Sequence, residues 1–176
     1  MKLLSLFLLS ALVVPISTCF SQQSSHEDFQ EFCKSVEGRW IGSTTLVQDS
    51  PFGKKGDRVT THFSSYMAAD GHMLIGTYQA GEGTATWILS YHPGAKQINV
   101  HLTNSGGNYA EGTIAKENGK WTERTKGARP DGSPTTAVQV LTTTDDGETH
   151  TWKGSGTVDG KAIDDWATVW KRVYKQ

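Results

Sequence analysis

Cysteine is nearly missing from this chain, which carries only Cys19 and Cys33. Cys19 falls in a segment that reads as removable, so one thiol would remain. That rules out an intramolecular disulfide framework and leaves stability to packing. Neither sign of charge is in excess, with 17 basic and 18 acidic residues and a formal net charge of −1. With no basic cluster beyond Lys54-Lys55, this balance argues against a nucleic-acid partner. Histidines occur singly, at 26, 62, 72, 92, 101 and 150. No His-X-His, His-Glu-X-X-His or paired-cysteine spacing is present, so no metal site is expected. A nucleophile elbow and a phosphate-cradling loop are also missing, and Gly81-Glu82-Gly83 and Gly106-Gly107 read as hairpin turns. Asp164 and Asp165 are adjacent in a strand pattern and so face opposite ways, which excludes a shared substrate proton.

The long apolar run that does occur is N-terminal, from Leu3 to Ile16, broken by Ser5 and Ser10 and preceded by Lys2. Small and polar residues follow as far as Ser21. This order predicts a cleavable secretory signal over 1–21 and a secreted or periplasmic product, here assigned to a bacterial envelope. An uncleaved membrane anchor is disfavoured, because the run is short of the roughly 20 residues a spanning helix needs. Lipid attachment at Cys19 is the lesser alternative: Ile16-Ser17-Thr18-Cys19 resembles a lipoprotein box, with Thr where Gly or Ala is usual. The rest divides into a lead-in and helix, 22–37, and one domain, 38–176, of a size that supports its own core.

Ser24 or Ser25 can cap a helix whose first turn holds Glu27 and Asp28. Phe29, Phe32, Cys33 and Val36 follow at i, i+3, i+4 and i+7, a single apolar stripe that must cover something. Cys33 lies on that stripe and reads as a small buried hydrophobe rather than a reactive thiol.

From Arg39 onward the period becomes two. Asp70-Gly71, Asn118-Gly119, Asp131-Gly132, Asp146-Gly147 and Asp159-Gly160 separate runs rich in Thr, Val, Trp and Tyr, as antiparallel hairpins require. Ten strands are expected, at 39–47, 57–68, 72–79, 83–92, 97–104, 108–116, 119–126, 135–143, 147–156 and 162–174. The fold class is therefore all-β: an up-and-down antiparallel barrel of about ten strands behind a short N-terminal amphipathic helix. Closure removes the sheet edges. A sandwich shares the same periodicity and remains the alternative architecture.

Gly38-Arg39-Trp40 at the start of the first strand, with Trp170-Lys171-Arg172 in the last, resembles the signature of the calycin superfamily: lipocalins and their fatty-acid-binding and nitrobindin-like relatives. Compact secreted bacterial lipocalin-like domains that open with a helix are the most similar group. The resemblance implies that Arg172 lies across Trp40 and that Gly38, Trp40 and Arg172 close the barrel. A second helical lid of the fatty-acid-binding type has no counterpart in the sequence.

The barrel lumen is the default pocket of such a fold. Apolar parity assigns Phe63, Met67, Ile75, Trp87, Leu89, Tyr91, Val100, Leu102, Trp121, Val138, Val140, Trp152, Trp166 and Trp170 to the interior. Polar residues of the same parity are candidate ligand anchors: Glu123 beside Trp121 and His150 beside Trp152, with Tyr109 and Glu111 as a similar pair for which Ala110, Gly112 and Ile114 compete for the inward face. For Glu123 and His150 the alternative is exposure at the rim or an ion pair with Arg124 or Arg58. The candidate ligand-binding set is thus Trp87, Tyr91, Tyr109, Trp121, Glu123, His150 and Trp152, with no catalytic residue assigned.

The expected function is a carrier of a small apolar or aromatic ligand, without a cofactor. A filled barrel with a structural or interaction role is the alternative, followed by an isomerase, cyclase or decarboxylase using Glu123, His150 and a tyrosine. Haem held through His150, in the manner of nitrobindin-like barrels, is the weakest reading. The oligomeric state is left open.

Overall fold

The computed structural model describes residues 23–173. The predicted signal segment and the lipidation alternative at Cys19 lie outside the described residues. Helix α1 (His26–Val36) precedes β1 (Gly38–Thr45), β2 (Arg58–Ala68), β3 (Met73–Ala80), β4 (Gly83–His92), β5 (Gln97–Asn104), β6 (Tyr109–Glu117), β7 (Lys120–Ala128), β8 (Pro134–Thr144), β9 (Thr149–Val158), β10 (Lys161–Ala162) and β11 (Trp166–Arg172). From β1 to β10 each strand pairs antiparallel with the next, β11 pairs with β9 and β1, and β1 thus pairs with both β2 and β11. The sheet closes into a ten-strand meander, because β10 and β11 occupy successive stretches of one position beside β9. The sandwich alternative is excluded. The expected last strand, 162–174, is interrupted at 163–165.

Four of the five predicted turn dipeptides place both residues at positive φ: 53° and 86° at Asp70-Gly71, 50° and 77° at Asn118-Gly119, 52° and 96° at Asp146-Gly147, and 54° and 71° at Asp159-Gly160. Such turns match the twist of the strands they join. At Asp131-Gly132 only the glycine does so, within a longer loop.

Helix α1 is capped by Ser25, whose hydroxyl accepts from the Asp28 amide while the Asp28 carboxylate accepts from the Ser25 amide. The cap contributes about 1 kcal/mol. Burying Phe29, Phe32 and Val36 contributes about 2 kcal/mol each, so docking rather than capping holds this 11-residue helix, which would be marginal alone. It plugs one end of the barrel. Phe32 meets Trp87, Trp121 and Trp152 edge-on, with ring centroids 5.9, 5.1 and 6.4 Å away. Cys33 is buried behind it, and burial pushes its thiol up to about 12.

The end of the plug answers why Gly-Arg-Trp follows a helix. Its last carbonyls need donors. The Trp40 indole N–H and the Ser65 hydroxyl donate to Val36 O at 2.9 and 2.8 Å. Arg172 Nη1 and Nη2 donate to Glu37 O and Ser35 O at 2.7 and 3.0 Å. Trp40 and Arg172 are direct cross-strand partners, and the guanidinium lies 4.2 Å over the indole. Gly38 has φ +116°, and a Cβ there would sit 3.0 Å from Arg172 Nη1, so any other residue would strain both the backbone and the cluster.

Three expected orientations are corrected. Ile75 faces outward, opposite Tyr66, while Leu74 and Gly76 face in. The space above Gly76 is filled by the Phe63 ring. Val138 and Val140 also lie outside, because β8 takes its register from β7 through the pairs Trp121 with Leu141 and Glu123 with Gln139. Their β-branched side chains suit a strand on either face.

Trp40→Ala is expected to cost about 3–5 kcal/mol, as removal of a fully buried indole does. Urea denaturation monitored by circular dichroism measures this, and an unchanged midpoint would contradict the role given to the cluster.

Candidate functional site

The interior divides at the tryptophan layer. On the helix side it is filled; on the loop side a cavity of about 380 Å³ remains. Its walls carry Phe63, Tyr78, Trp87, Trp152, Trp166 and Trp170, and its mouth is formed by the 46–52 segment with residues near 104–109, 129 and 157–163. Phe63 and Trp170 stack at 5.2 Å and 8°, and Trp170 donates to the Thr61 hydroxyl.

One cross-strand row carries the polar chemistry: Ile114, Glu123, Gln139, Gly154 and Trp166 are successive register partners around the wall. Gly154 makes room for the Trp166 ring, which a Cβ would approach to 2.3 Å. The Trp166 indole donates to Gln139 Oε1 at 3.3 Å, and Gln139 Nε2 donates to Glu123 Oε1 at 3.1 Å. Glu123 is only 4% exposed. Burial raises its pKa from the ordinary 4.5 to about 7, while hydrogen bonds from Gln139 and the Trp87 indole pull the other way.

His150 is 1% exposed and lies flat on Trp40, with ring centroids 3.9 Å apart. Burial, with a smaller contribution from the Arg172 charge, lowers its pKa from 6.5 to about 4, so the ring is neutral at physiological pH. Its Nε2 and the Trp152 Nε1 are buried without a hydrogen-bond partner. The stack occupies a face of the imidazole, and a metal would be met by the in-plane Nε2 lone pair, which the stack leaves free. Among the described residues no group of three or more metal-ligating side chains converges.

Of the predicted lumen residues, Trp87, Glu123, His150 and Trp152 line the cavity. Trp121 does not, since it is wedged between Phe32 and the Lys116 side chain below the floor. Tyr91 lies under the plug, where its hydroxyl donates to Ser24 O and its ring meets His26. Tyr109 reaches only the mouth: it is 46% exposed, and its hydroxyl donates outward to Glu111 at 2.8 Å. The rim and ion-pair alternatives for Glu123 and His150 do not arise, because Arg124 pairs with Glu117 and Arg58 bonds to Ser43 outside the barrel.

Gln139 is the functional candidate that parity misassigned, because its valine neighbours looked more like core. The Leu141 parity of the same strand was the available signal. Tyr78, whose phenol burial pushes up to about 12, shares the cavity wall. Among the described residues no hydrogen bond joins Glu123 to His150 or to a tyrosine.

No family model and no curated protein sequence matches this chain. Its fold is similar to the crystal structure of Rv2717c from M. tuberculosis, with a TM-score of 0.57 and 14% identity over 82% of this chain and 96% of that one. It is also similar to the S-type phycobiliprotein lyase CPES from Guillardia theta, with a TM-score of 0.52 and 12% identity over 84% and 94% of the two chains. At such identities the likeness establishes a lipocalin-like barrel and nothing of its ligand.

The two buried titrating groups should tilt stability in opposite directions. The folded chain keeps a proton on Glu123 that the unfolded chain releases above pH 4.5, so this group's contribution falls as pH rises towards about 7. The full effect is on the order of 3 kcal/mol. His150 remains neutral when folded, and its contribution is lost as pH falls from 6.5 towards about 4. Glu123→Gln needs no proton, so its stability relative to wild type should increase from pH 4.5 to 8. Urea midpoints across that range measure this, and a difference independent of pH would contradict the assignment.

Proposed function

We propose that this chain is a secreted, lipocalin-like binding protein that holds a small apolar or aromatic molecule in its barrel. The observation that carries the reading is the cavity of about 380 Å³ above the tryptophan floor. Its size falls in the range of small-molecule sites, and its aromatic walls with few converging polar groups have the composition of such sites. A barrel with a purely structural role would gain stability by filling this space, because unfilled apolar volume costs packing energy. The plug closes one end, so a ligand would arrive through the loops at the other. The N-terminal apolar segment supports export.

Trp87, Trp152, Trp166 and Trp170 line the space, so intrinsic fluorescence reports occupancy. Titration of residues 22–176 with retinoid-like aromatics, fatty acids and haem is expected to give saturable quenching with at least one class. Ala85 lies on the cavity wall, and Ala85→Phe would occupy it from inside. That variant should weaken binding by about tenfold or more, the effect of losing a contact worth roughly 1.4 kcal/mol. Tyr91→Phe, under the plug, should leave binding unchanged. A folded protein that quenches with none of these compounds would refute the reading.

A further inference from the structure

Glu123 is a buried acid to which the protein supplies hydrogen-bond donors but no cation. Trp166 can only donate, so its bond fixes Gln139 with the carbonyl towards the indole and the amide nitrogen towards Glu123. Trp87 presents a second N–H. The basic residues nearest in sequence turn away: Arg124 bonds to Glu117 and Lys126 pairs with Glu111, both on the outer face. Among the described residues that line the cavity, Glu123 is the sole carboxylate. The one guanidinium there, Arg129, belongs to the mouth and bonds to the Gln48 side-chain oxygen.

Resting on the lumen-binding reading above, we infer that the ligand is a flat aromatic base, an amine or nitrogen heterocycle, seated with its basic nitrogen against the Glu123 carboxyl. The base would take the carboxyl proton, or arrive protonated as the carboxyl releases its own to solvent. Either way one carboxylate and one cation face each other, and the pair is charge-assisted and shielded from water. The surrounding indoles favour the same charge, since a cation is attracted to an aromatic face. Burial holds Glu123 near pH 7, so ionising it against a base is inexpensive at neutral pH. A carboxylate ligand at the same depth would find neither an arginine nor a lysine.

Two probes of one shape test this. 9-Aminoacridine carries a base on a tricyclic frame, and anthracene-9-carboxylate carries an acid on a similar one. Dissociation constants of both are measured by calorimetry at pH 7 for wild type and Glu123→Gln, with folding checked by circular dichroism. Wild type should bind the base about tenfold or more tightly than the acid, the scale of one charge-assisted hydrogen bond. Glu123→Gln should lose that preference, chiefly through weaker binding of the base.

Equal or reversed affinities in wild type, or a preference that survives in a folded Glu123→Gln, would overturn the aromatic-base assignment and leave the lumen reading standing. Failure of both probes to bind wild type would overturn the inference. Failure of the wider ligand panel as well would overturn the lumen reading on which it rests. If the variant does not fold, the wild-type comparison decides alone.

Discussion

The Arg172 guanidinium is the constraint on which the rest of the structure depends. It covers the Trp40 indole, binds the last carbonyls of α1 and stands on the strand that closes against β1. One side chain therefore ties three segments: helix end, first strand and last strand. Its charge is met mainly by the carbonyl end of a helix, where the dipole favours a cation, with Glu148 at 3.6 Å as a half-exposed supplement. Without this cluster the plug would lose its anchor and the barrel its seam.

The plug in turn decides what the lumen is. Phe32 enters from one end and gathers three indoles around it, so the lower barrel becomes core. Aromatic volume is spent there, and the upper barrel keeps an unfilled space. The polar row of Trp166, Gln139 and Glu123 lines that upper space. An acid placed in the filled half would have no access to a ligand; placed above the floor, it is buried by the protein yet faces room. The asymmetry of the two ends therefore leaves a closed scaffold with one candidate site.

Much of this architecture was legible in local pattern. The apolar stripe of α1, the ten period-two runs and the Asp-Gly and Asn-Gly turns agree with the observed elements to within a few residues, the interrupted last strand apart. Turns with positive φ are chemically specific. The site was less legible. Trp87, Trp152, Glu123 and His150 reach the cavity, whereas Tyr91 and Trp121 have the right parity at the wrong depth, and Tyr109 has the wrong parity. Val138 and Val140 misled because β-branched residues favour strands on either face, and Ile75 misled because the glycine beside it left Leu74 as the weaker-looking choice.

The amino-acid sequence by itself determined the kind and order of the elements, because helix period, strand alternation and turn chemistry are local properties. It also marked Trp40 and Arg172 as a pair, through a motif in the first strand and another in the last. Only the tertiary structure decided where each inward side chain lies along the barrel axis. That depth depends on cross-strand register and on how far Phe32 penetrates, and both arise from residues distant in sequence. The position of Gln139 between Trp166 and Glu123 is of this kind, since it unites three strands whose local patterns carry no record of one another.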